Sequence, residues 1–95
     1  MESFWVYILK CSDGSYYVGH TDDLDLRLAQ HRTGTCKGYV STRLPAKPVF
    51  TQQFSSRVDA LAVEQQIKGW SRKKKEALIS GSWDQLKLLA KKKFR

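Results

Sequence analysis

From Phe4 to Lys10 the chain runs Phe-Trp-Val-Tyr-Ile-Leu-Lys, an apolar and aromatic stretch that ends abruptly at Cys-Ser-Asp-Gly-Ser. Its shortness and its β-branched and aromatic content predict a buried strand rather than a helix. A second short strand, Tyr16 to Gly19, follows at once, and Asp13-Gly14 between them is a hairpin signal. From Thr21 or Asp22, either of which can cap, to His31 or Arg32 the pattern is helical, and Gly34 is placed to end it. Residues 35–48 hold Gly38, Pro45 and Pro48 with Lys37, Arg43 and Lys47 among them, a long basic loop. Val49 to Phe54 reads as a third strand. Ser56 followed by Asp59 has the form of a capping box and opens a helix to about Trp70. Ser71 and Ser82 look like caps of two further helices with Gly81 as the break. The sum is an α/β domain in the order ββαβα with added C-terminal helices.

Composition bounds what such a fold can do. Ninety-five residues, 41% of them hydrophobic, suffice for a single domain, read as a core over 1–80 and a basic C-terminal helix over 81–95. A chain this size buries only about 60 to 65% of its unfolded surface, so a ligand is met largely at the surface. The net charge of +8 is unevenly placed. From Lys68 to Arg95 there are ten Lys or Arg against two acids, whereas Met1 to Ile67 holds seven of each. That points to a phosphate-bearing or other anionic partner, with a merely solvated tail as the plainer alternative. The two cysteines, Cys11 and Cys36, lie outside any ligand-spaced cluster, which argues against a disulfide scaffold and a structural zinc. With no membrane-length apolar run and no leader pattern, the expected location is cytoplasmic.

Hairpin geometry decides whether Tyr7 and Tyr17 work together, because side chains alternate between sheet faces. A two-residue Asp13-Gly14 loop puts them on opposite faces. A three-residue Ser12-Asp13-Gly14 loop, with Gly14 left-handed, sets Tyr17 opposite Leu9 and Tyr7 opposite Gly19, so both phenols share a face and Gly19 leaves space beside the Tyr7 ring. In the first helix Arg27 and His31 border the apolar stripe of Leu24 and Leu28 and need partners, within the protein or on a substrate phosphate. In the second, Glu64 sits among Ala60, Leu61, Ile67 and Lys68. It either pairs with Lys68 or binds a cation.

Together these residues resemble the GIY-YIG nuclease superfamily, in particular its small single-domain bacterial branch. Trp5-Val6-Tyr7 corresponds to the first family motif and Tyr17-Val18-Gly19 to the second. The stretch Thr21-Asp22-Asp23-Leu24 with Arg27, His31 and Gly34 looks like the family's first helix, and Glu64 falls where the family has its metal-binding glutamate. Ile67-Lys68-Gly69-Trp70-Ser71 and Lys74 to Ile79 are similar to the small branch's own signature. Trp5 stands where the first motif has glycine, and the chain has no Asn to match the family's C-terminal asparagine, for which Gln85 is a candidate substitute.

The resemblance implies a small antiparallel three-stranded sheet flanked by helices. It also implies a metal-dependent endonuclease acting on DNA, with RNA second, at low sequence specificity. Tyr7 or Tyr17 would activate water with help from His31, and Arg27 would hold the phosphate. One divalent cation, magnesium with manganese as the alternative, would sit on Glu64. Lys37, Arg43, Lys68, Arg72 and Lys73 would bind the nucleic acid backbone. Substrate choice would come from this fold alone or from a protein partner. The competing readings are a catalytically silent nucleic-acid- or partner-binding module that keeps the fold and a docking surface for an acidic protein on the basic terminal helices. The expectation is that five side chains, Tyr7, Tyr17, Arg27, His31 and Glu64, converge on one spot.

Overall fold

The computed structural model describes residues 3–35 and 38–81. Cys36, Lys37 and the expected C-terminal helix with its Ser82 cap and Gln85 lie outside the described residues. The element order is β1 (Phe4–Lys10), β2 (Tyr16–Thr21), α1 (Leu24–Thr33), β3 (Lys47–Phe54), α2 (Arg57–Lys68) and α3 (Arg72–Ile79), with a short 3-10 turn at Val40–Thr42. The strands form one antiparallel sheet in the order β2-β1-β3. The most apolar strand, β1, is therefore central, while β2 keeps one free edge. Among the described residues no helix is long and apolar enough to cross a membrane.

The alternation of β1 sorts the interior into two layers. Phe4, Val6 and Ile8 join Val18 of β2 and meet Ala60 and Ile67 of α2 and Leu78 of α3. Tyr7, Leu9 and Cys11 point the other way and pack with Val40, Tyr17, and Leu24 and Leu28 of α1. Pro48, which cannot donate to a ladder, is tolerated because β3 is an edge strand and its pairing with β1 shifts register between Ile8 and Leu9.

Local signals explain where the elements start and stop. Asp23, not Thr21 or Asp22, caps α1: its carboxylate accepts from Leu26 N. Thr21 is instead the last residue of β2, opposite Trp5, and its hydroxyl accepts from Asp23 N at 3.0 Å. Strand pairing thus carries β2 two residues past Gly19 and moves the cap along. Gly34 ends α1 in the left-handed region at φ 80°, with Thr35 N donating to Gln30 O. Ser56 caps α2 through Asp59 N and Ser71 caps α3 through Lys74 N, both as expected. Helix α2 stops at Lys68, two residues short of Trp70. The basic loop is shorter than predicted, because Val40 buries itself in the 3-10 turn and β3 begins at Lys47.

A candidate active site astride the edge strand

The hairpin adopts the three-residue form. Cys11 pairs with Ser15, Gly14 N donates to Cys11 O at 2.9 Å, and Gly14 is left-handed at φ 85°. The Asp13 carboxylate fixes the turn by accepting from Ser15 N at 3.0 Å and from the Ser15 hydroxyl at 2.6 Å. These bonds and the Arg43 guanidinium hold Asp13 below its ordinary carboxylate value. In the resulting register Tyr7 faces Gly19 and Tyr17 faces Leu9, so both phenols lie on the α1 side with ring centroids 6.3 Å apart. Gly19 is needed for space rather than for backbone freedom. A Cβ there would stand 2.6 Å from the Tyr7 hydroxyl oxygen and 2.7 Å from Tyr7 Cζ.

Helix α1 delivers His31 to the same place. Its ring is buried at 3% exposure, and Nε2 lies 2.9 Å from the Tyr7 hydroxyl. Tyr17 meets the imidazole edge-on, with centroids 5.4 Å apart. Burial, and secondarily the positive charge of Arg27, push His31 below the usual imidazole value. At neutral pH the ring is therefore uncharged, and Nε2 can accept the proton of the Tyr7 phenol. The structure thus gathers Tyr7, Tyr17, Arg27, His31 and Gly19 on one side of the sheet.

Glu64 lies on the other side. It projects from α2 between Ala60 and Ile67, which pack on the Val6 and Val18 layer. Its side chain is 6% exposed, with Oε1 3.1 Å from His20 Nδ1 and Oε2 3.5 Å from Lys68 Nζ. Gln65 Nε2 donates to Oε1 at 3.3 Å. His20 alternates with Gly19 on β2 and so turns toward α2. The expected single point of convergence is thus replaced by two clusters on opposite faces: strand alternation sends His20 away from Tyr17, and α2 packs on His20's face and carries Glu64 there. They adjoin because β2 is the edge. A cleft of about 200 Å³ runs across it, lined by Tyr16, Tyr17, Val18, Tyr39, Lys68 and Lys75.

The cleft has an aromatic wall. Tyr39 stacks on Tyr17 with centroids 6.2 Å apart and 25° between planes, and Arg43 lies over the Tyr39 ring at 3.7 Å while pairing with Asp13 at 3.1 Å. Tyr16 donates to Glu76 at 3.2 Å. Burial, and then that carboxylate, hold its phenol above the ordinary value, so Tyr16 remains protonated and is no candidate base. Arg72 pairs with Glu76 at 3.0 Å, donates to Gly14 O at 2.8 Å and covers the Tyr16 ring, which pins α3 to the hairpin. Of the predicted backbone-binding residues, Arg43 and Arg72 thus already serve in the protein, Lys68 borders the cleft, and Lys73 is exposed on α3.

Three residues escaped sequence reasoning: His20, Tyr39 and Lys75. His20 had a signal, since the hairpin register that unites the tyrosines also sends position 20 to the face of α2. Tyr39 and Lys75 carried no comparable sign beyond an aromatic in a basic loop and one lysine in a run of three.

Among the described residues no group of three or more His, Cys, Asp and Glu is placed to hold a metal. The donor set still suits a hard divalent ion of the magnesium type, which takes one or two carboxylates and completes its shell with water and substrate oxygens. Glu64 is a buried carboxylate beside Lys68, which lines the cleft, and the Lys68 ammonium is half exposed and free to turn into solvent.

The family model described as the GIY-YIG catalytic domain matches residues 3–77. A UPF0213 protein of Streptococcus pneumoniae is 40% identical over 80 residues, covering 84% of this chain and 81% of its own. The UPF0213 protein BH0048 of Halalkalibacterium halodurans is 43% identical over 76 residues, with 80% and 81% covered. Two solution structures share the fold. That of UPF0213 protein BH0048 from Bacillus halodurans has a TM-score of 0.56 at 42% identity, covering 82% of this chain and 83% of that one. That of protein EF2693 from E. faecalis has a TM-score of 0.57 at 37% identity, covering 84% and 88%.

Proposed function

This chain belongs to the GIY-YIG catalytic domain family, and from that membership we propose that it is a nuclease that hydrolyses phosphodiester bonds, in DNA ahead of RNA, with little sequence preference. The observation that carries this reading is the Tyr7–His31 bond behind Tyr17, a polar cluster inside a small core that opens on a basic cleft. Buried polar groups cost stability unless they are satisfied, and a fold this small has little to spare.

Roles follow from exposure. Tyr17 lines the cleft, whereas Tyr7 is 1% exposed, so Tyr17 is the phenol that meets the attacking water. Once its own proton has passed to the uncharged imidazole, Tyr17 takes the water's proton as the phenolate. Tyr7 is a positioning residue: tied to His31, it fixes the aromatic cluster against which Tyr17 packs, and the uncharged imidazole is the proton acceptor behind the pair. Arg27 holds the scissile phosphate from the α1 side. Glu64 would hold one divalent cation, magnesium or alternatively manganese, which when bound neutralises charge on the departing 3′ oxygen. Lys68, Lys73 and Lys75, with Lys37 and the less available Arg43 and Arg72, contact flanking phosphates, so binding weakens steeply with salt.

The test is a panel of labelled duplex, single-stranded, flap and branched DNA and RNA, incubated with magnesium, manganese or chelator. Cleavage is expected with the ions and not with chelator. Glu64→Gln and Tyr17→Phe each lower the rate by about a hundredfold or more while the fold is kept. Full activity in either variant overturns the assignment. One observation favours a second reading: both Glu64 oxygens already have nitrogen neighbours, His20 and Lys68. A silent binding module of this kind shows salt-sensitive binding and no cleavage with any divalent ion.

A further inference from the structure

His20 is unexplained by the roles above, and its geometry is unusual. Nδ1 is buried and lies 3.1 Å from Glu64 Oε1, yet among the described residues it has no hydrogen-bond partner. The two atoms are close enough for a hydrogen bond but are not aligned for one. Two adjacent ligands on a six-coordinate ion with bonds of about 2.1 Å are about 3.0 Å apart, which is the spacing seen here. The partners come from rigid elements: His20 from β2, Glu64 from a buried position on α2. The His20 side chain is 27% exposed although Nδ1 itself is buried, so the pair lies just beneath the surface.

We propose that His20 Nδ1 and Glu64 Oε1 together form a two-ligand site selective for a divalent first-row transition ion, such as manganese, over magnesium. The inference deepens the proposed function, since it rests on Glu64 as the cation-holding residue. A lone carboxylate with waters suits magnesium. Adding an imidazole nitrogen shifts preference toward transition ions, which accept nitrogen ligands that magnesium disfavours. Lys68 approaches Oε2, and Oε1 accepts one long bond of 3.3 Å from Gln65 Nε2, which leaves its second lone pair for an ion.

The test uses the full chain without nucleic acid, with manganese as the paramagnetic probe and magnesium as competitor. In the wild-type protein, bound manganese shows electron-spin-echo modulation from a coordinated nitrogen, and magnesium displaces it only at about tenfold excess or more. His20→Ala and His20→Gln abolish the nitrogen modulation and lower manganese affinity about tenfold, while magnesium affinity stays within about twofold. Glu64→Gln removes both ions. Amide chemical-shift maps confirm that each variant is folded, and the Gln variant keeps the side chain's bulk if Ala does not fold. Manganese bound without nitrogen modulation, an unchanged manganese-to-magnesium ratio in both His20 variants, or no Glu64-dependent binding at millimolar ion overturns the proposal. Glu64-dependent but nitrogen-free binding defeats this inference and leaves the nuclease reading intact. A nitrogen-ligated ion with every substrate uncut does the reverse.

Discussion

The two faces of the sheet are built from adjacent residues of the same strands, yet they differ in kind. On the α2 side Val6, Ile8 and Val18 meet Ala60, Ile67 and Leu78, an apolar layer whose polar residues, His20 and Glu64, stand at the β2 edge. On the α1 side the centre itself is polar-tipped: Tyr7, Tyr17 and His31 pack through ring faces and one hydrogen bond. The first layer gains stability from close-packed aliphatic area. The second gives up some of that gain to hold hydroxyl and imidazole groups in fixed positions. Division of labour follows: truncation within the apolar layer on the α2 side should unfold the protein, and change in the α1-side cluster, or at Glu64 on the edge, should disarm it.

The largest stability effect expected is at Ile8, fully buried at the centre of β1. Ile8→Ala removes transfer free energy and leaves a cavity, at a cost of about 3 to 4 kcal/mol. For a chain of this size each kcal/mol lowers Tm by about 4–8 °C, so calorimetry should show a fall of well over about 10 °C. Below the new Tm any cleavage should survive, because the Ile8 side chain packs in the layer of Val6, Val18 and Ala60 rather than against Tyr7 and Tyr17. A loss of activity in protein that is still folded would break the distinction between the faces.

Gly19→Ala is expected to do the opposite. The added methyl collides with the Tyr7 hydroxyl and Cζ, and neither can retreat, since the ring is buried and bonded to His31. Overpacking of this sort costs about 1–3 kcal/mol, less than the cavity at Ile8. Displacing the phenol from Nε2, however, spoils the proposed site, so activity should fall further than stability does. Urea denaturation beside a cleavage assay separates the two. An Ala variant with unaltered turnover would show that the Tyr7–His31 pair is structural only.

How much of this was legible beforehand varies with the range of the interaction. The hairpin, its three-residue loop and the shared face of Tyr7 and Tyr17 follow from Gly14 and strand alternation, which are local. The caps at Ser56 and Ser71 were legible for the same reason, and Asp23 was missed because strand pairing of Thr21 with Trp5, a contact across the sheet, outcompeted a nearer cap. Glu64 was identified as a candidate, but its face was not, since nothing in α2 says which side of the sheet it will cover. The same gap hid His20: its role depends on meeting a helix some forty positions later. Lys68 gave the i,i+4 pair that spacing favoured, and Arg43 and Arg72 became clamps because Asp13, Tyr39, Gly14 and Glu76 reach them first.

The smallest effect concerns protons on the α1 face. Burial first, and then Arg27, hold His31 below the usual imidazole value, whereas in the unfolded chain it titrates near pH ~6.5. Between that pH and the lower native value the unfolded state binds more protons. The stabilisation is therefore fully present above about pH 6.5 and declines on acidification, levelling once the native ring itself protonates. Asp13, with its native value lowered from 3.8, is stabilising above that pH and loses its contribution only in stronger acid, so the two windows are separate. Urea midpoints taken from pH 7.5 downward should fall for the wild type and fall less for His31→Gln, which has no ring to charge. Ile8→Val, on the other face, should lower every midpoint by a constant amount, about 0.5–1.5 kcal/mol in stability, and keep the wild-type slope. Parallel slopes for all three proteins would mean that the imidazole is not what makes the α1 face acid-sensitive.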